Sequence, residues 1–95
     1  MKTYGILVIG CGHIGMEHLL DIYYRDNIRL EGVVDTDPQR AQQAAHRCGA
    51  AAWGTDYRPF LESEDVDIVI IATYTDSHLP ILRDCLAHHK HVLCE

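Results

Sequence analysis

The stretch Val8-Ile9-Gly10-Cys11-Gly12-His13-Ile14-Gly15 decides how this chain of 95 residues folds. It has the pattern of an apolar strand end, then G-x-G-x-x-G, then the opening of a helix. Gly10 allows a tight turn off the strand, Gly12 leaves the backbone open to a pyrophosphate, and Gly15 lets the helix pack closely on the sheet. The free N–H groups at the start of such a helix favour phosphate. The pattern therefore predicts a dinucleotide-binding loop.

A second signal is Asp35, which ends the next apolar run and lies twenty residues after Gly15. This is the offset expected for an acid that binds the adenosine ribose hydroxyls, and we predict a bidentate hydrogen bond there, with Thr36 beside it. A carboxylate repels a 2′-phosphate, so NAD is expected over NADP, and Asp37 adds to the repulsion. Two alternatives stay open: Asp35 only caps the next turn, or Arg40 accepts a 2′-phosphate.

Composition limits the class of partner. The net charge is −6, and the eight basic residues are scattered singly, so neither nucleic acid nor an anionic membrane is an expected partner. Backbone dipoles can still hold the phosphates of a dinucleotide. No apolar run has the length of a signal core or a membrane span. The four cysteines form no C-x-x-C pair, and we expect reduced thiols in a cytoplasmic protein.

Strands and helices alternate along the sequence at short spacing, which is typical of βαβ units. The predicted strands are at about 4–9, 29–35, 51–53, 67–72 and 91–94; the predicted helices are at about 13–25, 38–47, a short one after 56, and one from 78 or 79 to 88. Asp37 and Gly49 are the expected caps of the second helix, and Pro80 is expected in the first turn of the last. Right-handed crossovers give one α/β domain over 1–95, a Rossmann-like doubly wound parallel sheet of about five strands in the order 3-2-1-4-5 with helices on both faces.

In such a sheet the ligand groups gather where the strands end. Those ends are 10–15, 35–37, 73–78 and Glu95. All four belong to one edge of the predicted sheet, so the sequence predicts a single binding crevice.

Five ordered motifs also resemble a known family: Ile9-Gly-Cys-Gly-His-Ile-Gly15, Gly32-Val-Val-Asp35, Asp65-Val-Asp-Ile-Val69, Ala72-Thr-Tyr-Thr-Asp-Ser-His78 and His91-Val-Leu-Cys-Glu95. Together they are similar to the N-terminal domain of the Gfo/Idh/MocA family (glucose-fructose oxidoreductase, inositol dehydrogenase). The resemblance implies a nicotinamide-dependent enzyme that oxidises a sugar or polyol hydroxyl or reduces the matching carbonyl.

The resemblance also implies roles for individual residues. The adenosine half would lie over 10–15 and Asp35, while Thr73, Tyr74 and His78 would border the nicotinamide. Family members usually have proline where Tyr74 stands. His78 could touch the nicotinamide or substrate, or only cap its helix, and is the one possible catalytic residue. The expected cofactor contacts are Gly10, Cys11, Gly12, His13, Ile14, Gly15, Asp35, Thr36, Thr73, Tyr74, His78 and Glu95.

The family motif continues as Glu-Lys-Pro, and Glu95 matches its glutamate. We therefore expect the catalytic lysine and the substrate domain to be absent and this chain to have little activity by itself. The alternatives are a non-catalytic NAD(H)-binding or sensing module and an inactive fragment. The open edge at 91–94 predicts self-association, as a homodimer. The histidines near 88–91 lie across a helix end and a strand, so no metal site is expected.

Overall fold

Among the residues that the computed structural model describes, 3–10, 12, 27–73 and 75–94 (backbone alone for 75–78), five strands form one sheet. The strands are β1 (Tyr4–Ile9), β2 (Ile28–Val34), β3 (Ala52–Gly54), β4 (Ile68–Ile71) and β5 (His91–Cys94). All neighbours pair in parallel, in the order β3-β2-β1-β4-β5. The predicted fold class and strand order are confirmed. The predicted helix at 13–25 lies outside the described residues.

Helix α1 (Pro38–Cys48) lies between β2 and β3, where the sequence predicts it. The carboxylate of Asp37 caps it by accepting from the N–H groups two and three residues further on, at 3.0 and 3.4 Å. A proline suits the first turn because its missing N–H has no partner there. Gly49 ends the helix in the left-handed conformation, with φ 69° and ψ 32°. Local sequence signals therefore fix both ends of this helix.

Two further helices, α2 (Arg58–Leu61) and α3 (Thr75–Ala87), precede and follow β4. The prediction that α3 begins at 78 or 79, with Pro80 in the first turn, is wrong: the helix begins at Thr75, and Pro80 lies inside it. A proline inside a helix removes one backbone hydrogen bond. The burial of Ile81 and Cys85 in the apolar cluster stabilises the later turns of the helix and offsets the loss of that bond.

The sheet is covered on both faces, as a parallel sheet requires. Successive residues of a strand point to opposite sides, so Ile6 and Val8 belong to one apolar cluster and Leu7 and Ile9 to another. The first cluster includes residues of α1, and the second includes residues of α2 and α3. This packing holds the carboxyl ends of the central strands in fixed register.

Those carboxyl ends meet at Gly10. Its N–H donates to the carbonyl of Val34 at 2.7 Å, and the N–H of Ala72 donates to the carbonyl of Ile9 at 2.8 Å. Gly10 has a φ of +99°, and a Cβ at this position would lie 2.6 Å from the carbonyl oxygen of Ala72. Glycine is therefore required at this turn by the backbone itself.

Candidate functional site

A cleft of ≈ 530 Å³ runs along the carboxyl edge of the sheet, a size within the usual range for small-molecule sites. It is lined by Ile9, Gly10, Gly12, Val34, Asp35, Thr36, Arg40, Thr55, Asp56, Tyr57, Arg58, Ala72, Thr73 and Ile81. Five of the predicted cofactor contacts therefore line one cleft: Gly10, Gly12, Asp35, Thr36 and Thr73. Of the strand ends predicted to share a crevice, the described parts at 10, 12, 35–36 and 73 do line this cleft.

Gly12 differs from Gly10 in what surrounds it. No atom of the described residues lies within 4 Å of a Cβ built on Gly12. The fold as described does not require glycine there, in contrast to Gly10, and Gly12 lines the cleft. This is the space that a pyrophosphate lying against the backbone would need.

Asp35 is buried, with 8% of its surface exposed, although it lines the cleft. Its Oδ1 accepts a hydrogen bond from the N–H of Asp37 at 2.9 Å, and its own N–H donates to the carbonyl of Gly54 at 3.2 Å. These bonds hold the carboxylate at the end of β2. A carboxylate has about four acceptor positions, so the bond to Asp37 is compatible with further bonds to ribose hydroxyls.

Arg40 lies on the first turn of α1 and also lines the cleft. Its Nη1 is 3.8 Å from Oδ2 of Asp35, and its side chain is 55% exposed. At this distance the two side chains form a loose ion pair that contributes little to stability. The arginine is nevertheless beside the carboxylate. The cleft therefore contains both residues that the sequence offered for the 2′ position of an adenosine: Asp35 for a hydroxyl and Arg40 for a phosphate.

Loop residues 55–58 form a wall of the cleft that sequence reasoning missed. Arg58 is exposed and Tyr57 is half-buried. The guanidinium carbon of Arg58 lies 5.9 Å from the centroid of the Tyr57 ring, within the range of a cation–π contact. One signal in the sequence could have found it: the loop follows β3, and all strands of a parallel sheet end at the same edge.

Tyr57 also connects the wall to α3. Its hydroxyl donates a hydrogen bond to the carboxylate of Asp84, and its ring packs on the apolar cluster that contains Ile81 and Cys85. Burial, and then the bond to Asp84, raises the pKa of the Tyr57 phenol above its ordinary value. The hydroxyl is therefore protonated at neutral pH and acts as the donor.

The remaining predicted contacts cannot be placed. Cys11, His13, Ile14, Gly15, Tyr74 and Glu95 lie outside the described residues, as does the side chain of His78. Their roles stay predictions. The open backbone at Gly12 together with the carboxylate of Asp35 nevertheless fits a dinucleotide, which needs room for a pyrophosphate and an acceptor for ribose hydroxyls.

Three further findings concern the described part of the chain. No group of three His, Cys, Asp or Glu within 3–10, 12, 27–73 and 75–94 could hold a metal ion. Cys48, Cys85 and Cys94 are free thiols, and burial raises the pKa of Cys85 to about 11. Within the same residues, no helix is long and apolar enough to cross a membrane.

Comparison with known proteins agrees with this geometry. The GFO_IDH_MocA family model, an oxidoreductase family with an NAD-binding Rossmann fold, matches residues 4–95. Inositol 2-dehydrogenase of Rubrobacter xylanophilus is 35% identical over 89 residues, covering 93% of this chain and 25% of that relative. Inositol 2-dehydrogenase of Burkholderia multivorans is 35% identical over 95 residues, covering 98% of this chain and 28% of that relative. The chain thus spans about a quarter of the length of these curated relatives.

A solved structure shows the same arrangement of the chain. GenD2 from gentamicin A biosynthesis, crystallised in complex with NAD, superposes with a TM-score of 0.93 at 29% identity. The match covers 99% of this chain and 27% of that chain.

Proposed function

Since the chain belongs to the oxidoreductase family with an NAD-binding Rossmann fold, we propose that it is the cofactor-binding part of a dehydrogenase acting on a sugar or polyol CH–OH group. The observation that carries the proposal is the presence, in one cleft, of the open backbone at Gly12 and the buried carboxylate of Asp35. When bound, the nicotinamide would accept or supply the hydride.

Each described residue has a limited part in this proposal. The turn at Gly10 presents the backbone beside the cleft, and Gly12 leaves it uncovered for the pyrophosphate. Asp35 accepts hydrogen bonds from the adenosine ribose, with Thr36 next to it. Thr73 lies two residues after the end of β4 and also lines the cleft. We place the nicotinamide there, with Tyr74 and His78 as its further neighbours.

We propose a preference for NAD over NADP because Asp35 is negatively charged and is held in place by the N–H of Asp37. A 2′-phosphate would approach both carboxylates at short range. Arg40 only partly offsets this repulsion because its side chain is largely exposed and 3.8 Å from the nearer oxygen of Asp35.

The substrate is proposed from the relatives alone. Two of them are named inositol 2-dehydrogenase, which supports a cyclic polyol as a first candidate. Since this chain spans about a quarter of their length, most of their sequence lies outside the match. We therefore propose that the groups that select the substrate belong to that remainder.

Self-association is a separate proposal, supported by the edge strand β5. Leu93 on this strand is 48% exposed, and Leu86 on α3 is 58% exposed. An uncovered strand edge next to exposed apolar side chains favours pairing with a second copy. Sedimentation of the 95-residue chain should show a homodimer, and a monomer at every concentration would contradict this.

We also propose a cytoplasmic setting, in which Cys94 would stay reduced.

The test of the cofactor proposal is calorimetric titration of the chain with NAD and then with NADP. We expect saturable NAD binding and weaker NADP binding. Asp35→Asn should weaken NAD binding by roughly 10- to 100-fold, because a hydrogen bond to a charged group contributes about 1.5–3 kcal/mol, and should narrow the difference between the two cofactors.

A matched control removes a carboxylate elsewhere. Glu64 is exposed and is not among the residues that line the cleft, so Glu64→Gln should leave NAD affinity unchanged. The proposal fails if the wild-type chain gives flat traces with both cofactors. It also fails if Asp35→Asn and Glu64→Gln bind NAD equally well.

A further inference from the structure

One contact in the cleft is not explained by recognition of the adenosine. Tyr57 lines the cleft, yet its hydroxyl points away to Asp84 on α3, 27 residues further along the chain. Its carbonyl accepts from the N–H of Phe60 in α2 at 3.1 Å. Tyr57 is therefore held by α3 through its side chain and by α2 through its backbone, while it also lines the cleft.

The Asp84 end of this hydrogen bond is also connected to the cleft. Ile81 and Asp84 are three residues apart on α3 and so lie on neighbouring positions of one helix face. Ile81 is 7% exposed and lines the cleft. The Tyr57–Asp84 bond thus joins the wall at 55–58 to the helix that contributes Ile81 to the cleft.

The same helix begins at Thr75, two residues after Thr73, which lines the cleft. We call the wall at 55–58 the adenosine wall. The distance between it and the start of α3 would limit how far apart the two halves of a bound dinucleotide lie. Apolar packing of Tyr57 on Ile81 and Cys85 is non-directional, whereas a hydrogen bond to a carboxylate fixes both distance and orientation.

We infer that Tyr57 and Asp84 are positioning residues for the nicotinamide half of the cofactor: their hydrogen bond holds α3 at a fixed position relative to the adenosine wall. This inference rests on the proposed function. It assigns to the pair a role in binding the whole dinucleotide and none in recognising the adenosine, which Asp35 supplies.

Three single variants test the pair, and a fourth substitution is their control. Tyr57→Phe keeps the ring and removes the donor, and Asp84→Ala removes the acceptor. Asp84→Asn keeps an oxygen acceptor and is the conservative rescue. The matched control is Tyr4→Phe, because Tyr4 lies at the start of β1, at the opposite edge of the sheet.

Each variant is titrated with NAD and with AMP, which occupies only the adenosine part. We expect Tyr57→Phe and Asp84→Ala to weaken NAD binding by about 5- to 20-fold and to change AMP binding by less than about twofold. Asp84→Asn should keep most of the NAD affinity, and the double variant Tyr57→Phe/Asp84→Ala should be no weaker than either single variant.

A spectroscopic measurement supplies a second readout. Trp53 is the only tryptophan of the sequence and lies in β3, four residues before Tyr57. Energy transfer from Trp53 to bound NADH depends on the position of the nicotinamide. At saturating NADH we expect Tyr57→Phe to change the transfer efficiency and Tyr4→Phe to leave it unaltered.

The outcomes separate this inference from the proposed function. If the wild-type chain binds neither NAD nor AMP, the proposed function fails and the inference fails with it. If the wild-type chain binds NAD and Tyr57→Phe binds it equally well, the inference alone is wrong. Equal losses of NAD and AMP affinity, or a lower urea midpoint with unchanged affinities, would assign the pair to stability and overturn the inference.

Discussion

Alanine substitutions at the first two glycines of the loop should affect different properties: Gly10→Ala the free energy of unfolding, and Gly12→Ala the affinity for NAD. Gly10→Ala would place a Cβ 2.6 Å from the carbonyl oxygen of Ala72, at a φ of +99°. A left-handed conformation costs a non-glycine residue about 1–2 kcal/mol, and overpacking against backbone costs about 1–3 kcal/mol. We therefore expect the free energy of unfolding to fall by roughly 2–5 kcal/mol, a large part of the ~5–15 kcal/mol that a domain has.

Gly12→Ala meets no atom of the described residues within 4 Å. We expect its free energy of unfolding to change by less than about 1 kcal/mol, while NAD affinity falls roughly tenfold or more because the methyl group holds the pyrophosphate off the backbone. Urea unfolding followed by circular dichroism gives the first quantity, and calorimetry gives the second. The reasoning is refuted if Gly12→Ala destabilises the chain as much as Gly10→Ala, or if Gly12→Ala binds NAD like the wild type.

Substitutions at three further positions test local features of the fold. His89 has a φ of 59° after the end of α3, so His89→Gly should raise the free energy of unfolding by about 1 kcal/mol; an unchanged urea midpoint would contradict this. Asp37→Ala removes the cap of α1 and should lower that free energy by about 1 kcal/mol, whereas Asp37→Asn should recover most of it. Burial raises the pKa of Cys85 from 9.0 to about 11, so stability should be intact below pH 9 and fall by up to about 2 kcal/mol as the pH approaches 11. Cys85→Ala should remove that part of the pH dependence, and an unaltered slope would show that another group causes it.

The strands themselves could be predicted because their signals are local, and their order then followed from general rules. The apolar runs of β1 and β4 are continuous, which indicates strands buried on both faces. Handedness rules then leave few ways to arrange five such strands. The resemblance to the Gfo/Idh/MocA family, read from five short motifs, is confirmed by the family model over residues 4–95.

The start of α3 could not be read in the same way. Pro80 has the local signature of a first turn, but the helix begins at Thr75, four residues after the end of β4 at Ile71. The end of α3 departs from local preference too. His89 occupies a left-handed position where glycine is usual, and its N–H donates to the carbonyl of Leu86 at 3.0 Å while that of Lys90 donates to Cys85 at 3.1 Å. In both cases the tertiary packing of the helix overrides what the sequence pattern favours.

Part of the candidate site could be predicted because it belongs to a motif, and part could not because it depends on contacts between distant elements. Gly12 and Asp35 belong to a motif whose spacing reflects the ligand itself. The wall at 55–58 reaches the cleft only because β3 pairs with β2, where Val34 lies opposite Gly54. The bond from Tyr57 to Asp84 joins residues 27 positions apart, and no periodicity within one element indicates such a contact.

The net charge of −6 shows why composition alone describes this cleft poorly. The acidic turn at 62–67 precedes β4, and Oδ2 of Asp67 accepts from the N–H of Gly5 at 2.9 Å, so it lies at the amino edge of the sheet. Strands of four to six residues separate it from the cleft by roughly 13–20 Å, beyond the ~8 Å screening length at physiological ionic strength. Among the described residues that line the cleft, Arg40 and Arg58 are matched in number by Asp35 and Asp56. A dinucleotide there would experience these four charges and the backbone at Gly12 more than the acidity of the whole chain.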